Sequence, residues 1–293
     1  MQTKDNFFYR KTTLNCRGKI LDLSQPQVMG ILNITPDSFY DGNKYKHMNE
    51  IQGQMEKMME EGAAIIDIGA YSSRPGATDI SPAEEWRRLE PVLTLILQKY
   101  DDFIFSIDTF RSEIARQAIS NFPVSLINDI SAGELDNEMF DTMATENIPY
   151  IMMHMKGNPQ NMKSKAQYQD ILNEITDYFA EKTERLKQMG LKDMVIDPGF
   201  GFSKAIDQNF ELLGLVNNFK IFGFPILAGL SRKSMIYKTL NISPGEALNG
   251  TTVLNTIALM QGINILRVHD VREARETIQL YEKYSAFLQT DKS

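Results

Sequence analysis

The chain has 293 residues, 42% of them apolar, enough for one large domain or two small ones, and its net charge is −7. That acidic balance argues against non-specific nucleic-acid binding, which needs a basic surface, and no run approaches the roughly 20 apolar residues that cross a bilayer. A single cysteine, Cys16, excludes an internal disulfide and a cysteine-rich metal cage, and the N-terminus, MQTKDNFFYRK, shows no apolar secretory core, so a cytoplasmic location with no membrane partner is expected.

In chain order, residues 1–26 precede the first core strand, and TLNCRGKILDL within them reads as a two-stranded hairpin turning at Arg17-Gly18 and capping the bottom of the domain. Eight β-branched or apolar runs follow, each leading into a helix-like stretch: Val28–Ile34, Ile65–Ala70, Phe103–Thr109, Ser125–Ile130, Tyr150–Met155, Met194–Pro198, Pro225–Leu230 and Ile265–Asp270. Such runs, buried on both sides, suit a parallel sheet. Between them, MEKMMEEG reads as a helix face. Ser81-Pro82-Ala83-Glu84 and Ser243-Pro244-Gly245-Glu246 read as N-cap, N1 proline and capping-box glutamate, and Gln167–Met189 has helical spacing ending at Gly190. Strand then helix, repeated eight times, closes into a (β/α)8 TIM barrel over 27–290, with 1–26 as an N-terminal β-hairpin extension. A doubly wound open sheet is the alternative.

In a barrel the chemistry sits where strands end, and here almost every such junction is polar. In order these are Asn33, then Asp67 leading to Ser73 and Arg74, Asp108, Asn128-Asp129, His154, Asp197, Ser231-Arg232-Lys233-Ser234, and Arg267 with His269. Asp67 and Asp129 also read as structural carboxylates. A ring of Asp108, Asn128, Asp197 and Lys233 is different: burying it costs several kcal/mol unless each group finds a partner, and a polar heterocycle supplies partners. Arg74, Arg267 and His269 form a cationic set, with Arg267 and His269 on one strand face. Ser231 reads as an N-cap, so that Arg232, Lys233 and Ser234 would open a helix whose free N–H groups favour an anion; Arg232 by itself reads as a surface charge. The loop Thr35-Pro36-Asp37-Ser38-Phe39-Tyr40-Asp41-Gly42 reads as a lid. None of the three histidines forms an HxH or HExxH pattern, and no nucleophile elbow is present. A hard ion such as Mg2+ needs only one or two protein oxygens plus phosphate and stays open.

The motifs MGILNITPDSFYDG, SSRPGA, SIDTF, INDISAG, MMHMKGNPQNM, VIDPGFGF, LAGLSRKSM and LRVHDV occur in that order from about Val28 to the last helix. In them the sequence closely resembles the dihydropteroate synthases of bacterial folate synthesis. The resemblance implies a transferase joining p-aminobenzoate to 7,8-dihydropterin-6-ylmethyl diphosphate with release of diphosphate, along an SN1-like path. It implies a pterin site of Asp108, Asn128, Ile130, Met153, Asp197, Gly229, Lys233 and Arg267. It also implies a diphosphate site of Asn33, Arg74, Arg267 and His269, with Mg2+ on Asn33 and an imidazolium at His269. A p-aminobenzoate pocket of Phe39, Ser73, Pro75, Phe202 and Ser234 would be the one that sulfonamides target. Asp41 and Asp197 would stabilise the developing cation, and the enzyme would be a homodimer. One departure is visible: the family commonly shows Glu-Ser-Thr-Arg-Pro-Gly where this chain has Tyr71-Ser72-Ser73-Arg74-Pro75-Gly76. A methyltetrahydrofolate:corrinoid methyltransferase would share the Asp/Asn/Asp ring without a leaving diphosphate, and SRKSM and LRVHDV argue against it. The lid loop and the anion groups argue against a non-catalytic pterin-binding protein.

Overall fold

A computed structural model describes residues 11–34, 44–74 and 78–290. A hairpin of β1 (Thr13–Cys16) and β2 (Lys19–Asp22) comes first. Then follow β3 (Gln27–Asn33), α1 (Lys44–Glu60), β4 (Ile65–Gly69), α2 (Pro82–Lys99), β5 (Phe105–Asp108), α3 (Ser112–Asn121), β6 (Val124–Asp129), α4 (Met139–Glu146) and β7 (Tyr150–Met153). The chain continues with α5 (Ile171–Gln188), β8 (Met194–Asp197), α6 (Ile206–Leu215), β9 (Leu227–Ala228), α7 (Ser234–Tyr237), α8 (Leu248–Met260), β10 (Ile265–Val268) and α9 (Val271–Thr290). The eight strands β3 to β10 pair in parallel in the order β8-β7-β6-β5-β4-β3-β10-β9. A bridge between Ile196 and Ile226 joins the two ends, where the Ile196 N–H donates to the Pro225 carbonyl at 2.9 Å. The expected barrel is thus present, and each strand falls within or beside its predicted run.

Local chemistry explains most boundaries. Ser81 caps α2 by accepting from the Glu84 N–H at 3.2 Å, with Pro82 at the first position. Glu84 does not reach back to Ser81; its carboxylate binds Arg87 and Arg88 instead. The Ser243 amide and hydroxyl both donate to Glu246, but this box opens a short 3-10 turn, Pro244–Glu246, ahead of α8. α5 starts at Ile171 rather than Gln167 because Asp170 caps it, accepting from the Asn173 N–H at 3.0 Å. Along α1, Met55 and Met58 are buried, which makes the methionine-rich stretch a core face.

Strand alternation divides the apolar side chains into two sets. One set faces outward and packs under the helices. The other faces into the barrel, where Met29, Ile65, Leu126, Ile151, Val195, Leu227 and Ile265 meet Leu14, Cys16, Leu21 and Leu23 of the hairpin segment. The hairpin turns at Arg17 (φ 56) and Gly18 (φ 87), two consecutive left-handed residues of the kind a two-residue hairpin loop requires. The Arg17 guanidinium donates to the carbonyls of Ile119 at 2.9 Å and Phe122 at 2.8 Å, fastening the hairpin beneath the barrel. No helix among the described residues is long and apolar enough to cross a membrane.

Candidate active site

Above that apolar plug the inward positions become polar. Arg267, on β10, lies across the barrel: its Nε donates to Asp67 Oδ2 at 2.6 Å and its Nη2 to Asp108 Oδ2 at 2.6 Å. Asn128, on β6, donates from Nδ2 to the same Asp67 oxygen at 2.9 Å. Asp197 ends β8, and its Oδ1 accepts from the Gly199 N–H at 2.8 Å. Lys233 enters from the loop after β9, where its Nζ donates to the Phe200 carbonyl and sits 4.7 Å from the centroid of the Phe202 ring. Gly229 lines the same space; a Cβ there would stand 3.7 Å from Lys233 Nζ and 4.0 Å from Arg267 Cβ. Asp108, Asn128, Asp197 and Lys233 therefore lie at the same end of the barrel, joined through Asp67 and Arg267 and through the attraction between Asp197 and Lys233.

Burial dominates the electrostatics. Desolvation lifts the Asp108 carboxyl to about 7, against the pull of Arg267 and with the help of the Asp67 charge. Burial likewise raises Asp197, with Lys233 opposing. Lys233 itself is brought down to about 8 by burial, although Asp197 draws it upward.

An apolar wall flanks this polar floor. Ile130, Met153, Met155 and Met162 pack together, with Phe110, Leu135 and Phe202 against them. Met153 and Met155 share a face by strand alternation, so the run MMHM carried a readable signal for Met155. Met162, at the start of a 3-10 turn, and Phe110 and Leu135, from loops, carried none.

Two side chains, Arg74 and His269, lie further out. Arg74 stands exposed in the loop after β4, and His269 follows just past β10, its ring packed against Ser231. Desolvation, and then the positive charges of Arg267, Arg232 and Arg74, bring His269 down to about 4 although Asp270 opposes them, so the ring is neutral at pH 7. An imidazolium at His269 would therefore have to form when an anion binds beside it. Ser231 does not cap a helix. Its hydroxyl lies 3.1 Å from His269 Nδ1 and accepts from the His269 N–H at 3.2 Å. Arg232 adopts φ 55, and its guanidinium grips Asp270 at 2.9 and 2.8 Å. α7 begins only at Ser234 and is four residues long, so the expected helix-terminus anion site is absent. Arg232 is thus half-buried and ion-paired rather than a free surface charge.

Asn33 ends β3 exposed, with Oδ1 3.4 Å from where a Cβ on Gly69 would lie. Ser73 and Ser234 are half-buried at the mouth. Phe39, Asp41 and Pro75 lie outside the described residues. Among the described residues no group of three or more His, Cys, Asp or Glu is placed to hold a metal.

Two carboxylates with the same sequence signature part company. Asp129 is structural: its oxygens accept from the Ser131 and Gly133 amides and the Tyr150 hydroxyl. Asp67, in contrast, accepts from Arg267 and Asn128, which reach it across the barrel. Sequence reasoning also passed over Lys204, a buried lysine whose Nζ donates to the Gly199 and Phe202 carbonyls at 3.0 and 3.1 Å and stands 3.0 Å from His154 Nδ1. It braces the loop after β8, where Gly199 (φ 75) passes so close to the His154 carbonyl that a Cβ would collide with it.

A barrel with this plugged floor, charged ring and apolar wall belongs to the pterin-binding enzymes: the family described as "Pterin binding enzyme" matches residues 29–269. The dihydropteroate synthase of Escherichia coli strain K12 is 40% identical over 271 residues, covering 92% of this chain and 95% of that protein. The Yersinia pestis dihydropteroate synthase, solved with a sulfonamide drug, superposes with a TM-score of 0.86 at 37% identity, covering 94% of this chain and 99% of that one. The Xanthomonas albilineans dihydropteroate synthase, solved with 4-aminobenzoic acid, gives 0.86 at 33% identity, with 94% and 98% covered. Within the pterin-binding enzymes the chain falls among the dihydropteroate synthases, transferases of folate synthesis.

Proposed function

We propose that this chain joins p-aminobenzoate to 7,8-dihydropterin-6-ylmethyl diphosphate using the residues gathered at the barrel mouth. The observation that carries the reading is the convergence of Asp108, Asn128, Asp197 and Lys233 from separate strand ends onto one floor beside an apolar wall. A pterin presents ring N–H groups and an amino group on its edge and an apolar face. The carboxylates accept from the former, Asn128 and Lys233 complete the edge, and Ile130, Met153 and Gly229 line the face. Arg267 lies between this floor and the rim, where Arg74, His269 and Asn33 receive the diphosphate. Ser73, Phe202 and Ser234, with Phe39 and Pro75, form the p-aminobenzoate side.

The chemistry follows from charge. As the CH2–O bond breaks, negative charge grows on the leaving oxygen and positive charge on the methylene carbon. Arg267 and Arg74 stabilise the first, and Asp197 and Asp41 the second, more in the transition state than before it. The arylamine nitrogen attacks the methylene carbon and then releases its proton to solvent. Such an amine is already nucleophilic at neutral pH, so no strong base is needed. His269, neutral before binding, gains a proton more readily once the diphosphate offsets its cationic neighbours. Asn33, exposed at the end of β3, would hold Mg2+ through its carboxamide oxygen, a hard ligand of the kind this ion takes. When bound, it neutralises charge on the diphosphate. A cytoplasmic homodimer completes the reading.

A continuous assay for diphosphate tests it. Release is expected only when both substrates are present. No release under any condition would overturn the reading, and methyl transfer from methyltetrahydrofolate without diphosphate would favour the corrinoid rival.

A further inference from the structure

Asp67 is fully buried in the middle of β4, and a single oxygen of its carboxylate, Oδ2, accepts both from Arg267 Nε at 2.6 Å and from Asn128 Nδ2 at 2.9 Å. Arg267 comes from β10 and Asn128 from β6, neither of which pairs with β4. Asp67 therefore reaches past its neighbouring strands in two directions and ties together two side chains assigned to different parts of the substrate. Its other oxygen, Oδ1, has no hydrogen-bond partner, and neither has the Ser106 hydroxyl, which sits opposite Asp67 in the β4–β5 register. An unsatisfied oxygen on a buried carboxylate is unfavourable for folding, so stability alone does not account for Asp67. What Oδ2 holds does.

We propose that Asp67 is the positioning residue that couples the two halves of the site, setting the Arg267 fork toward the diphosphate and the Asn128 carboxamide toward the pterin from one shared oxygen. The inference rests on the proposed substrate assignment. The guanidinium has a fixed planar fork. With Nε held by Asp67 and Nη2 by Asp108, it cannot rotate, and its remaining N–H groups keep one direction. The Asn128 amide is fixed as well, because donating Nδ2 to Asp67 leaves its Oδ1 free to accept from a guest. Moving the shared oxygen would misdirect both groups together, which removing Arg267 or Asn128 singly would not do.

Asp67→Asn keeps the shape and removes the charge. Calorimetric titration of wild type and variant with two probes, 6-hydroxymethyl-7,8-dihydropterin and inorganic diphosphate with Mg2+, is expected to show both affinities about tenfold or more weaker in the variant. The KM for p-aminobenzoate, whose pocket Asp67 does not touch, is expected to stay within about twofold. Loss of only one affinity, no loss in either, or a parallel rise in that KM would overturn the coupling. Failure of the wild type itself to bind either probe would instead sink the substrate assignment. A measurement on the wild type alone guards against a variant that fails to fold. Inorganic diphosphate, which does not reach the pterin floor, should shift the side-chain amide resonance of Asn128 through Asp67; an unmoved resonance at saturating diphosphate would also overturn the proposal.

Discussion

Lys233 and Asp108 show how burial prepares individual residues for a guest. In the free enzyme the Lys233 ammonium rests on the Phe200 carbonyl and over the Phe202 ring, with its affinity for a proton already lowered. A charged hydrogen bond of this kind contributes roughly 1.5–3 kcal/mol, so Lys233→Ala should slow diphosphate release about 10- to 150-fold. A rate within twofold of wild type would remove Lys233 from the site. Asp108 makes a pH prediction whose sign is fixed by its shift from an ordinary 3.8 to about 7. Between those values the folded chain keeps a proton that the unfolded chain has released, so this group lowers stability as pH rises from about 4 to about 7 and adds no further slope above. Urea midpoints at pH 5 and pH 7.5 should therefore differ less in Asp108→Asn than in wild type. An ionised carboxylate is what a pterin N–H needs, so pterin binding near pH 7 should release a proton. Calorimetry in buffers of different ionisation enthalpy would detect it.

At this scale legibility in the sequence depended on distance along the chain. Strand-end position was enough to single out Asp108, Asn128, Asp197 and Arg267. It did not separate Asp67 from Asp129, because the difference lies in what reaches them across the barrel: Arg267 for one, the adjacent Ser131 and Gly133 amides for the other. Ser231 looked like a helix cap because Ser before a polar stretch usually is one; its hydroxyl is taken by His269, 38 residues away.

Among the elements, the hairpin of β1 and β2 is the most separable. It contributes no group to the mouth, yet Leu14, Cys16 and Leu21 complete the apolar layer inside the barrel. Leu14→Ala should cost about 2–5 kcal/mol of stability, the range for deleting a buried leucine side chain, measured by urea unfolding, while KM for both substrates stays unchanged. Cys16 reports the same packing chemically. Burial pushes its thiol up to about 12, and only the thiolate reacts, so the native hairpin should protect it from a disulfide reagent. Reaction at the unfolded-chain rate would show that the hairpin is not seated. Turn chemistry at Arg17-Gly18 made this element readable in advance. The β8 loop was less readable, since its brace, Lys204, gains meaning only from three carbonyls and a histidine brought together by the fold.

For the whole molecule, the alternating pattern of eight runs made a parallel sheet covered by helices on both faces legible, and the repetition of eight strand–helix units favoured closure into a barrel over the doubly wound open sheet. The homodimer proposed from family resemblance also has a physical ground on the surface. α8 exposes Val253, Ile257 and Met260 and the adjacent α9 exposes Leu280, Tyr284 and Phe287, each set at i, i+4, i+7 spacing. Two adjoining apolar stripes are unusual on a monomer. Light scattering should give twice the chain mass, and Leu280→Asp with Val253→Asp should shift it toward one. A monomeric wild type at micromolar concentration would contradict the homodimer.

The stopper at the bottom of the barrel makes the reaction chamber a cul-de-sac. Among the described residues the hairpin segment fills that end, so on the proposed assignment the substrates share the opposite opening, and a molecule seated deep cannot escape while another stands in front of it. A bulky, slowly leaving occupant of the doorway would thus imprison the pterin behind it, and its residence time, rather than its grip on the deep groups, would govern how long the enzyme stays blocked.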